Sequence, residues 1–239
     1  MLFRSGSAIY ARFDFFGLAL TTAALPLVTL FCVSPLRGVA AIPRQQAGFM
    51  KVMASVWIPG FGAALSSIGF GAITAFSALL FVAHGWAPWP AFTVFAAAFI
   101  LARLFLAHLA DQFAAAKVAL LTVLVEAVGL VLLAVAPSLA GALAGAALTG
   151  FGYSLVYPAL GVEAVRSVPP QNHGLAMGAY TAFLDVALGL GTPALGFLAE
   201  RAGLGSAFVA SALAALGTAA IAGFLLNKSR WPGDRQLPA

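Results

Sequence analysis

The sequence predicts an all-α membrane protein with seven transmembrane helices, and three observations carry that expectation. Of the 239 residues, 62% are hydrophobic and only 8% are charged, against about 25% charged in a soluble domain; mean hydropathy is +1.03. The apolar residues gather into seven runs, near 15–33, 53–82, 90–110, 117–136, 139–160, 173–199 and 205–226. Each is close to or beyond the roughly 20 residues that a helix needs to cross hydrocarbon. The basic residues fall mainly between those runs, with a strong bias in side.

The first run follows Arg4 and Arg12, as in a signal peptide, but it is longer than an h-region and no small-residue cleavage pattern follows it. It is read as a retained span. Residues 34–51, with Pro35, Gly38, Pro43, Gln45 and Gln46, read as a linker between bundles. The second and sixth runs exceed what a bilayer needs, so tilt or a kink is expected there. Pro59, Gly60 and Gly62 mark an irregularity in the second. Turn signals at 85–90, at Pro137 and Ser138, and at Pro169 and Pro170 separate the later runs.

Arg37, Arg44, Lys51, Lys117, Arg166, Lys228, Arg230 and Arg235 fall on one side of this arrangement; Arg4, Arg12 and Arg201 fall on the other, and Arg103 lies within a span. The positive-inside rule then places the linker and the C-terminus in the cytoplasm of a bacterial inner membrane. An outer N-terminus with no signal reads as if earlier spans were missing. The net charge of +5 is therefore a topology signal, and nucleic acid is not an expected partner.

Enzyme chemistry finds little support. Cys32, the single cysteine, excludes a disulfide framework and a cysteine metal site. His84, His108 and His173 lack metal-ligand spacing. In the run from Gly150 through Gly152 to Ser154 the serine comes one place too late for a nucleophile elbow, and no phosphate-binding loop is present. No cofactor or metal is expected.

The chemistry lies in ionisable residues within the spans. Asp185 stands near the middle of 173–199, and Gly178, Thr181, Ala182, Asp185, Gly189, Thr192 and Gly196 recur at steps of three and four on one helix face. That face reads as one wall of a transport route. Glu126 is central in the fourth run, with Thr122 and Gly129 on its own face, and Arg103 lies about two thirds along the third. Such groups form a static pair that fixes packing, or they exchange partners and carry a proton. Asp111 closes the third run, as a solvated loop acid or bonded to the next helix or to an Arg. Gly141, Gly145, Thr149 and Gly152 form a second small stripe, which implies close helix packing. Tyr153 and Tyr157 beyond it read as interfacial anchors before ligands.

Several stretches are distinctive: Ala64 to Gly71, Val125 to Leu130, Gly150 to Gly161, Val168 to Gly174 and Tyr180 to Asp185. On these the chain, from about 15 to 228, resembles the major facilitator superfamily, in its YhhS-like branch of drug/proton-antiporter-type carriers. Ala107, Leu109, Ala110 and Asp111 fit the start of that family's loop signature, while Gln112 and Ala114 depart from it. The resemblance implies twelve helices in two halves with substrate bound between them. Residues 1–33 then hold the sixth helix, 34–51 the central cytoplasmic linker, 52–228 the six-helix C-terminal half-bundle and 229–239 a cytoplasmic tail. The function implied is secondary transport of a small solute, as proton-coupled efflux. Asp185, Glu126 and Arg103 are the proton-coupling candidates, Asp111 the gating-loop acid, and Thr181, Thr192, Ser66 and Tyr153 the cavity-lining candidates. The partners are a small solute, protons, the bilayer and a missing N-terminal half. The alternative is a non-transporting membrane fragment or an assembly subunit.

Overall fold

The computed structural model describes residues 2–33, 49–106, 112–166 and 168–229, and every regular element among them is helical. Asp111, residues 34–48 of the linker and the tail from 230 lie outside the described residues. The chain divides into two compact units, Met1–Arg44 and Gln45–Ala239. The first holds α1 (Leu2–Val33), whose helical geometry breaks at Asp14 with φ 56°. The apolar run 15–33 begins directly after that break.

The second unit holds α2 (Phe49–Ala83), α3 (Trp89–Leu106), α4 (Ala115–Val135), α5 (Leu139–Arg166), α6 (His173–Ala202) and α7 (Leu204–Ser229), with a 3-10 turn at Pro170–Asn172 ahead of α6. Among the described residues these six helices are long and apolar enough to cross a membrane. The seventh expected span, 15–33, is helical within α1. Short connections make the chain reverse direction from each helix to the next. Lys51, Arg103, Lys117, Arg166 and Lys228 therefore share one end of the bundle, and Arg201 stands at the other.

Helix α5 packs chiefly on α4 and α3, while α2 packs on α6, α7 and α5, and α4 also meets α7. The α4–α5 seam is built of glycine. A Cβ on Gly145 would stand 2.9 Å from the Gly129 carbonyl oxygen, and one on Gly152 would run into the backbone nitrogen of Glu126. These helices touch backbone to backbone, the close approach that small residues permit where no hydrophobic effect drives association. Buried hydroxyls mostly satisfy themselves within their own helix, as Ser211 does on the Ala207 carbonyl at 2.8 Å. Thr218 instead donates across to the Gly62 carbonyl at 2.8 Å and ties α7 to α2. The irregularity expected at Pro59 does not interrupt α2, which runs unbroken through it. Gly60 serves packing there, because the Phe183 ring lies where a Cβ would be. Leu104, Phe105, Val135, Leu190, Phe197 and Leu213 are all exposed, an apolar exterior suited to acyl chains and not to water.

One residue, Gly203, separates α6 from α7. Its φ of 85° lies in the region that side chains resist, and its N–H donates to the Ala199 carbonyl at 2.9 Å. Gly203→Ala is expected to cost about 1–3 kcal/mol, read as a lower thermal unfolding midpoint in detergent.

Candidate functional site

The polar interior is organised by α2. Ser66 and Ser67 are wholly buried there, beside Gly69 and Gly71, which admit neighbouring side chains. Ser66 Oγ donates to Glu126 Oε2 at 2.6 Å. Glu126, halfway along α4, is itself wholly buried, and its other oxygen, Oε1, has no hydrogen-bond partner among the described residues. The absent side chain of Gly69 makes room for that oxygen: a Cβ at this position would lie 2.6 Å from Oε1. Gly69→Ala is therefore expected to lose about 1–3 kcal/mol by overpacking. In the double mutant with Glu126→Ala the share of that loss due to Oε1 should vanish, while Leu130 Cδ1, 2.9 Å from the same Cβ, keeps the remainder, as a mutant cycle of thermal unfolding would show.

A second hydroxyl pair lies one residue along. Ser67 Oγ donates to the Ala63 carbonyl at 2.7 Å, so the Tyr153 hydroxyl, 3.3 Å away, is the donor to Ser67. The Tyr153 ring stacks on Phe70 with centroids 5.1 Å apart. Tyr153 is buried at the middle of α5, which rules out its reading as an interfacial anchor. Tyr157, one turn on, is half-buried. Its hydroxyl donates to Thr181 Oγ1 at 3.1 Å, because the Thr181 proton goes to the Met177 carbonyl. The Tyr180 hydroxyl donates to the Tyr157 carbonyl at 2.7 Å. Serine, carboxylate, tyrosine and threonine thus link α2 to α4, α2 to α5, and α5 to α6.

The stripe on α6 is divided by its neighbours. Thr181 meets α5 as above, and Thr192 lies against α2, where a Cβ on Gly71 would come within 2.7 Å of its Oγ1. Gly178, Ala182, Asp185 and Gly189 are exposed. Asp185 makes no hydrogen bond or ion pair with any described residue. Arg103 does not join the acids either. It stands exposed in the last turn of α3, its guanidinium carbon 5.9 Å from the Phe99 ring centroid. Among the described residues the ion pair present is Arg166 with Glu163 at 3.5 Å, at the end of α5. No group of three His, Cys, Asp or Glu converges there on a metal position.

Sequence reasoning missed Ser67, Tyr180 and the Thr218 bridge. The signal for the first was present in the adjacent serines of α2, followed three residues later by glycine. Nothing in the spacing pairs Thr218 with Gly62.

This bundle of membrane-length helices with a buried carboxylate has close relatives. The Major Facilitator Superfamily sequence model matches residues 60–238. An "Uncharacterized MFS-type transporter" of Pseudomonas aeruginosa is 45% identical over 190 residues, covering 79% of this chain and 47% of the relative. One from Salmonella typhimurium is 39% identical over 224 residues, covering 93% and 58%. The MFS-type transporter YhhS of Salmonella paratyphi C is 38% identical over 208 residues, covering 87% and 51%. The chain spans about half the length of the curated relatives it matches. It belongs to the major facilitator superfamily.

Proposed function

We propose that this chain forms one half of a secondary carrier that moves a small solute out across a bacterial inner membrane in exchange for protons. The observation that carries this reading is Glu126: a carboxyl sealed in an apolar bundle, bonded once by Ser66 and open at its second oxygen. Intramembrane carboxyls are expensive to keep and mark ion or substrate pathways. In the proposal Glu126 takes up and releases the coupled proton. The Ser67–Tyr153 and Tyr157–Thr181 pairs lead from it towards α6, and Thr192 lines α6 further along, against Gly71.

Asp185 has the complementary place. A carboxylate exposed among Gly178, Ala182 and Gly189 is costly against acyl chains, and a small-residue face accepts another helix closely. A second half-bundle covers this face, so that Asp185 looks into the path between halves and meets the solute. Arg103, at the end of α3, acts as a topology charge. With Lys51, Lys117, Arg166 and Lys228 it marks the cytoplasmic end and puts the C-terminus there.

The test is proteoliposomes carrying an internal pH dye, challenged with a panel of small and lipophilic solutes. The chain is reconstituted alone and after co-expression with the N-terminal half of the Salmonella YhhS relative. Solute-dependent proton movement in either preparation supports the carrier. Silence in both favours the second reading, a non-transporting fragment or assembly subunit, which the uncovered Asp185 also fits.

A further inference from the structure

We propose that the cavity between α3, α4 and α5 at the lysine-rich end of the bundle binds an anionic phospholipid, with one acyl chain in the slot and the phosphate on Lys117. The cavity measures about 210 Å³, and its walls include Leu106, Phe113, Leu121, Phe151 and Leu155. That is below the roughly 300–1,000 Å³ of a pocket that encloses a whole small molecule. It also lacks the convergent polar groups that orient a soluble ligand. The hydroxyl of Thr122, the other polar residue in its wall besides Lys117, is already donated to the Val118 carbonyl at 2.8 Å.

What remains is a flexible hydrocarbon chain as occupant, and the position of the charge completes the match. Phe113 and Leu121 are exposed on the bundle's outer surface, so the slot opens towards lipid. Lys117 is exposed in the first turn of α4, its ammonium 5.6 Å from the Phe113 ring centroid, and pairs with no acid among the described residues. Leu121 lies one turn deeper, about 6 Å along the helix axis. Phosphate at the lysine and chain at the leucine is the order in which a phospholipid presents its own parts. Basic pockets between membrane helices recognise anionic headgroups in this way. The site depends on the membrane-spanning fold and not on the transport proposal.

The experiment is native mass spectrometry of the purified chain with phosphatidylglycerol or phosphatidylcholine. The unaltered chain should retain the anionic lipid preferentially. Lys117→Gln should cut that preference about fivefold, the factor expected for one lysine near an anionic surface. Leu121→Trp, which fills the slot from an exposed position, should lower the occupancy of both lipids. Lys228→Gln, at the same end of the bundle but outside the slot, should change nothing. A loss of preference in Lys228→Gln equal to that in Lys117→Gln, or full lipid retention in Leu121→Trp, would overturn the assignment.

Discussion

Glu126→Gln is expected to abolish solute-driven proton movement while leaving the bundle folded. The amide has the shape of the acid, and its oxygen still accepts the Ser66 hydroxyl that now lies 2.6 Å from Oε2. It has no proton to exchange. In the proteoliposome assay the proton signal should fall to the level of empty vesicles, with the thermal midpoint little changed. Asp185→Asn should behave differently, because that carboxylate is exposed on α6 and is assigned to the solute. Its coupling should persist while the solute concentration for half-maximal flux rises about tenfold, equivalent to about 1.4 kcal/mol. Full coupling in Glu126→Gln would remove this residue from the mechanism.

The second large effect concerns folding. Gly152→Ala should leave little folded protein, because the added Cβ meets the backbone of Glu126 and Thr122, not the end of a flexible side chain. Overpacking against movable neighbours costs typically 1–3 kcal/mol; two helix backbones pressed together have less room to give, so the loss should reach or exceed the top of that range. Gly189→Ala is the control. Nothing lies within 4 Å of a Cβ there, and its effect on this chain should stay within about 0.5 kcal/mol. Monodispersity on gel filtration and the thermal midpoint in detergent report both. An equal loss at the two positions would mean that the α4–α5 seam is not the constraint described.

The helices were legible in the sequence because hydrocarbon imposes a length and a composition that few other environments demand. The glycines at 145 and 152 were legible as packing residues for the same reason. The face of Asp185 was legible as a face, but not what covers it: helical spacing aligns Thr181, Asp185 and Thr192, while only tertiary packing decides that the threonines meet α5 and α2 and the acid meets neither. Tyr153 shows the limit in the other direction. An aromatic with a hydroxyl suits an interface by composition, and it became an interior donor because Ser67 stands opposite it across a helix pair. Arg103 lies within the span where counting residues places it, but exposed beside the Phe99 ring, and only tertiary packing decides that it meets no acid among the described residues.

The one-residue join at Gly203 limits how α6 can travel. Ser206 clasps that corner, its hydroxyl 2.6 Å from the Gly203 carbonyl and 3.2 Å from that of Leu198. A rod tethered there cannot slide lengthwise; it can only pivot. With 30 residues at about 1.5 Å each, α6 is a lever of roughly 45 Å. A tilt of about 5° sweeps its His173 tip through roughly 4 Å and carries Asp185, a little over halfway out, through about 2 Å.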